Sequence, residues 1–75
     1  MRKEPIATDK APAAIGPYSQ GIRTGEFIYT SGQLPIDPET KQLVATDIKS
    51  AASQSLENVK AILAQAGASM DSVIK

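Results

Sequence analysis

Gly16-Pro17-Tyr18-Ser19-Gln20-Gly21 is where chemistry would first be sought, because a serine set between glycines suggests a hydrolase nucleophile turn. The spacing is wrong for Gly-x-Ser-x-Gly, and the sequence contains no His to take the serine proton. No Lys-Ser or Lys-Thr follows Gly21, so this is not a phosphate-binding loop, nor does it match the dinucleotide fingerprint. Asp37-Pro38-Glu39 lacks the further carboxylates and the glycine of a calcium loop and reads as an exposed proline turn. Glu57 and Lys60 read as a solvent-side pair on a helix. With no Cys there are neither disulfides nor thiolate–metal ligands, and without His the usual zinc ligand and neutral-pH base are both missing.

The chain has 75 residues, one domain at most, and a domain this small buries only about 60% of its unfolded surface. Its hydrophobic fraction is 41%, but this includes one Phe, two Tyr and no Trp, and much of the rest is Ala, so large core-filling side chains are scarce. Eight basic residues balance eight acidic ones with no long run of either, which gives no basic footprint for nucleic acid or an anionic membrane. No apolar stretch has the length of a signal peptide or a bilayer span. A cytoplasmic protein is the expectation.

Stepping along the chain, residues 1–17 carry Pro5, Pro12 and Pro17, with Ile6-Ala7-Thr8 as the strand-like piece, and read as an edge strand and a proline-rich loop. Residues 18–31 read as a β-hairpin, Tyr18 to Thr24 and Phe27 to Ser31, turning at Gly25-Glu26. Phe27, Tyr29 and Ser31 alternate with Ile28 and Thr30, so both faces of the second strand need cover. Residues 32–46 form a loop with Pro35 and Pro38. Residues 47–66 read as an amphipathic helix, capped by Thr46 or Asp47 and closed by a left-handed Gly67. Its spacing predicts a packing stripe of Ile48, Ala52, Leu56, Val59, Leu63 and Ala66 with Ile62 beside it, and Ser50, Gln54, Glu57, Ala61 and Ala64 opposite. Residues 72–75 look like the start of a strand that is not completed. This order is that of the first half of an α+β sandwich.

A denser pattern lies across these elements. Ala11-Pro12-Ala13-Ala14-Ile15-Gly16-Pro17-Tyr18-Ser19-Gln20, Ile28-Tyr29-Thr30-Ser31-Gly32-Gln33-Leu34-Pro35, Asp37-Pro38-Glu39-Thr40 and Leu56-Glu57-Asn58-Val59-Lys60-Ala61-Ile62-Leu63, closed by Ala66-Gly67, together resemble the Rid family of imine and enamine deaminases. The likeness runs without a gap over essentially the whole chain. Lys41 departs from it, standing where a tight-turn Gly is expected. The resemblance implies a chorismate-mutase-like α+β subunit, a mixed sheet with helices on one face, here ending after the first helix and the start of the next strand. It also implies a homotrimer with clefts between subunits and hydrolysis of short 2-imino acids, tautomers of enamines such as 2-aminoacrylate, to 2-keto acids and ammonia. No metal or organic cofactor is implied, and neither nucleic acid nor membrane is an expected partner.

By the same resemblance Tyr18, Ser31 and Gly32 bind substrate, and Ser31 is the candidate catalytic residue. Each has a plainer reading: Tyr18 as a half-buried strand aromatic, Ser31 as turn chemistry, Gly32 as a residue needing positive φ. Gln33 and Ile36 are weaker candidates for the cleft wall. The reaction needs little beyond holding a carboxylate, placing water and moving protons, which suits a chain without His or Cys. A carboxylate is best held by a bidentate arginine. The arginine that does this in the family lies further along than residue 75, and neither Arg2, near the terminus, nor Arg23, at the far end of its strand from Tyr18, is a convincing replacement. The expectation is therefore a subunit represented by its N-terminal part, whose activity alone is doubtful, with a non-catalytic small-ligand-binding or interaction module as the alternative. A ribonuclease or translation inhibitor, a label carried by some members, fits poorly with the lack of His and of a basic face.

Overall fold

The computed structural model describes residues 3–14, 18–44 and 46–74. Strands β1 (Lys3–Ile6), β2 (Gly21–Thr24) and β3 (Phe27–Thr30) form an antiparallel sheet in the order β1-β2-β3. Helix α1 (Ile48–Gln65) packs against it, and a 3-10 turn follows at Met70–Ser72.

The hairpin turns on Gly25-Glu26, with Gly25 at φ 60°. Glycine at the first central position gives a two-residue turn whose twist matches that of the strands. The ladder is shorter than the sequence pattern suggests, since Tyr18 to Gln20 precede it and Ser31 follows it. The first strand also lies earlier than expected, at Lys3–Ile6 rather than over Ile6-Ala7-Thr8. Thr8 cannot extend it, because the Gln20 side chain engages both its N–H and its carbonyl. As an edge strand, β1 tolerates Pro5.

Alternation then sorts the faces. Phe27 and Tyr29 stand exposed on one side with ring centroids 6.4 Å apart, while Ile28 turns toward the core. That core is formed by Ile6, Ala11 and Ile62, with Ile28, Ala61 and Ala66 packed against it. Helix and sheet approach closely at Gly21, where an added Cβ would sit 2.8 Å from Ile62 Cγ2.

Asp47 caps α1, its carboxylate accepting the Ser50 N–H at 2.7 Å. Beyond the C-cap Ala66, Gly67 adopts φ 81°, and the Ala68 and Gly67 amides return to the carbonyls of Leu63 and Ala64 at 2.8 and 3.0 Å. Arg23, reaching across from β2, donates to the Ala66 carbonyl. It thereby supplies positive charge to a helix end whose own last turn has no basic residue.

The packing face follows the predicted stripe in the C-terminal half of the helix, at Val59, Ile62, Leu63 and Ala66, and departs from it in the N-terminal half. Asn58, Ile62 and Leu63 are buried and Gln54 and Ala61 half-buried, while Ile48, Ala52 and Leu56 are exposed. Contact with Gly21 fixes the rotation of α1 through Ile62, and Asn58, one turn earlier, turns inward to bond the 32–46 loop. Ile48 sits in the first turn, at 85% exposure.

That loop is more ordered than its composition suggests. Ile36 bridges Leu43, the Asp37 N–H donates to the Gln42 carbonyl at 3.0 Å, and the Asp37 carboxylate accepts the Glu39 amide at 2.8 Å. Lys41 closes the turn in the left-handed region at φ 63°. A side chain there is strained, so Lys41→Gly is expected to stabilise the fold by about 0.5–1 kcal/mol, the strain relief being partly offset by the freer unfolded chain. Urea unfolding measures it, and a less stable variant would refute the assignment of strain.

At the other end, the expected strand does not begin at Ser72. The Ser72 N–H bonds to the Ser69 carbonyl at 3.1 Å, closing the 3-10 turn, and Val73 is extended but lies outside any strand. Lys75 lies outside the described residues.

The cap also sets a pH dependence. The Ser50 amide holds the Asp47 carboxyl below its ordinary 3.8, helped by the Ser50 side chain and the Lys49 amide. A carboxyl with a lowered native pKa adds stability above its unfolded pKa and loses it as the pH falls through the native one. The stability difference between the wild type and Asp47→Ala is therefore expected to be full near about pH 6 and to shrink steadily from about pH 4 downward. A difference independent of pH across that window would rule out the carboxylate as the cap.

Candidate functional site

Tyr18, Ser31 and Gly32 come from one end of the hairpin, where β2 begins and β3 ends. Tyr18 is half exposed and lines an open groove of about 530 Å³ with Ile6, Thr8, Ala13 and Gln20. The residues just before it, 15–17, lie outside the described residues. Ser31 is not among the groove's lining residues but is tied to it, its N–H and Oγ–H both donating to the Gln20 carbonyl, at 3.0 and 3.2 Å. These bonds run across the strand pair to a residue 11 positions away rather than within a local turn, and any site role uses what the hydroxyl has left.

Gly32 corrects one expectation: its φ is not positive, and a Cβ there would meet nothing within 4 Å. Within the chain nothing demands a glycine, and its backbone is open to approach. Gln33 folds back with its amide on the Ser31 hydroxyl at 3.2 Å, and Ile36 is held in the loop bridge, its carbonyl accepting from Asn58. Arg23 is committed to the helix end. Arg2 lies outside the described residues.

The larger cavity, about 800 Å³, lies elsewhere, between the β3 side of the sheet, the C-terminal half of α1 and Ser69 to Ile74. None of Tyr18, Ser31 or Gly32 lines it. Among the described residues no group of three or more His, Cys, Asp or Glu could hold a metal ion, and no helix is long and apolar enough to cross a membrane.

Two further residues, Gln20 and Asn58, lie within the motifs of the family resemblance without having been site candidates, and both organise the surrounding loops. Gln20 is buried, its side chain bonded to Thr8, Ala11 and Pro12. Asn58 is buried on α1, its amide donating to the Leu34 and Ile36 carbonyls at 3.0 Å each while its carbonyl accepts from Gln54 at 2.9 Å. The sequence cues for Asn58 are its place in the 56–63 motif and an amide one helical turn from the apolar Ile62.

Comparison with known proteins places this arrangement. The family model described as Endoribonuclease L-PSP matches residues 8–75. A RutC family protein of Pyrococcus abyssi is 56% identical over 75 residues, all of this chain and 59% of its own length. The 2-iminobutanoate/2-iminopropanoate deaminase of Salmonella typhimurium is 54% identical over 70 residues, 93% of this chain and 54% of the relative. Among solved structures, the Rid-family protein YyfA of Yersinia pestis has a TM-score of 0.90 at 48% identity, covering 93% of this chain and 56% of that one. Escherichia coli TdcF with bound serine also has 0.90, at 46% identity, with 95% and 55% covered. The chain thus spans between half and three fifths of the length of these relatives. Matched from Thr8 onward by the family model and aligned with Rid proteins in both sequence and fold, the chain belongs to the Rid (Endoribonuclease L-PSP) family.

Proposed function

We propose that the protein is a cytoplasmic, homotrimeric imine/enamine deaminase that hydrolyses short 2-imino acids, 2-iminopropanoate and 2-iminobutanoate among them, to 2-keto acids and ammonia. The observation that carries this reading is the 54% and 51% identity to Salmonella typhimurium and Escherichia coli proteins named for that activity, each over 93% of the chain. The bound serine of TdcF, a small amino acid, supports the same ligand class.

In the proposed reaction water adds to the electrophilic C=N carbon, a proton passes to nitrogen, and the C–N bond breaks to leave the keto acid and ammonia. The demands are placement and proton transfer rather than a strong nucleophile, so neither a metal nor an organic cofactor is needed. Tyr18 lines the cleft with its ring and phenol, Ser31 supplies a hydroxyl to the substrate or water, and Gly32 lets a ligand approach the backbone. Arg23 donates to the Ala66 carbonyl at the helix end, so it is not the anchor of the substrate carboxylate in this reading.

The test is hydrolysis of 2-iminobutanoate generated in situ by an amino-acid oxidase, with keto-acid release followed with and without protein. The full-length protein is expected to accelerate release and the 75-residue chain alone to leave it at the uncatalysed rate. Calorimetric binding of 2-ketobutyrate without turnover by the full-length protein would overturn the enzyme reading in favour of a ligand-binding module. RNA cleavage by metal-free protein without imine hydrolysis would overturn both.

A further inference from the structure

We propose that Gln20 is the positioning residue of this site, holding Tyr18 and Ser31 in one frame and leaving the Ser31 hydroxyl as a hydrogen-bond acceptor toward the ligand; the inference rests on the deaminase reading. Gln20 is 4% exposed. Its side-chain carbonyl accepts the Thr8 N–H at 2.7 Å, and its amide N–H groups are shared among the carbonyls of Pro12, Thr8 and Ala11 at 2.6, 3.0 and 3.2 Å. The side chain therefore pins residues 8–12, and Thr8, Tyr18 and Gln20, which follows Tyr18 by two positions, share the wall of one groove. The main-chain carbonyl of the same residue holds Ser31 by both N–H and Oγ–H. Loop, strand entry and strand exit are thus tied through one buried side chain and its own carbonyl.

The consequence for Ser31 follows from counting. A hydroxyl has one proton and two lone pairs. The proton goes to Gln20, and one lone pair receives the Gln33 amide at 3.2 Å. What is left for a ligand is the remaining lone pair. It suits an iminium N–H or the hydrolytic water, and it is the wrong partner for a carboxylate oxygen.

Two variants of the full-length protein test the two halves, assayed well below each variant's melting temperature so that the protein is folded throughout. Gln20→Leu is expected to lower kcat for 2-iminobutanoate by about 10²-fold with little change in KM, the effect of a small displacement of positioned groups. A folded Gln20→Leu variant with unchanged kcat overturns the positioning role, because a merely structural role shows in the melting temperature alone. Ser31→Ala is expected to lower kcat by about 10-fold or more while leaving the Kd for 2-ketobutyrate, which has a carboxylate but no N–H, unchanged. A tenfold weaker Kd would show that Ser31 donates, and overturns the acceptor assignment. Should Gln20→Leu fail to fold, amide exchange of the wild type decides. Saturating 2-ketobutyrate is expected to slow exchange at both Thr8 and Ser31, and an unchanged Thr8 rate overturns the common frame. A wild type that neither hydrolyses 2-iminobutanoate nor binds 2-ketobutyrate overturns the deaminase reading itself, a result distinct from all of these.

Discussion

Asn58→Leu is expected to destabilise the protein by about 3 kcal/mol, although leucine has the same branching as asparagine and prefers helices. Asn58 is 1% exposed and makes three hydrogen bonds, two of them donated to main-chain carbonyls of a loop more than twenty residues away. Removing the amide leaves the Leu34 and Ile36 carbonyls without that donor and Gln54 without its acceptor, at a cost of about 1–3 kcal/mol for each group that water cannot reach. Asn58→Asp should be worse at neutral pH, because a carboxylate in that place presents lone pairs to two carbonyls and is itself desolvated. Urea unfolding with an unchanged m-value checks the first variant, and amide exchange in residues 34–44 checks the mechanism, since the loop should loosen before the helix does. Wild-type stability in Asn58→Leu would mean that the loop is held by something else.

A comparably large effect is expected at the helix–sheet contact. Gly21→Ala places a Cβ 2.8 Å from Ile62 Cγ2 and 3.1 Å from the Tyr29 carbonyl oxygen. Neither neighbour yields easily, since Ile62 is fully buried with a stiff χ1 and Tyr29 contributes main chain from the ladder. Overpacking of this kind costs about 1–3 kcal/mol. Ile62→Ala alone should cost about 2–5 kcal/mol through the cavity it leaves. The diagnostic quantity is their combination, because the cavity of one change accommodates the methyl group of the other, and the double variant should be more stable than the sum of the singles predicts by about 1 kcal/mol or more. Strict additivity would show that the two residues are not in contact.

The same contact explains what could and could not be read from sequence. The hairpin turn, the helix, its Asp47 cap and its Gly67 stop were legible because each depends on local chemistry: a glycine where φ is positive, a carboxylate where amides are free. The helix's packing face was legible only in its C-terminal half, because its rotation is set by the absence of a side chain at Gly21 and by an amide at Asn58, and hydrophobic spacing registers neither. Ile48, Ala52 and Leu56 fit the predicted stripe as well as Ile62 does, yet the sheet of this chain does not cover them. At the site, Tyr18, Ser31 and Gly32 were reached only by resemblance to a family. The Gln20 bonds to Thr8, Pro12 and Ser31 were not legible, because a glutamine at a strand entry has no characteristic spacing. Lys41 is the reverse case, where a departure from the family pattern marked a position whose backbone is left-handed.

The hydrogen bond from Arg23 to the Ala66 carbonyl joins residues 43 apart in the chain. Every other device at that helix end is local, and the charge that complements its dipole arrives from a strand. The order of assembly follows: the β2–β3 hairpin closes over a short distance, whereas the last turn of the helix gains its cation only once a long loop has been closed. Until then the final turn frays, and with it the platform on which Gly67 and the residues beyond are laid.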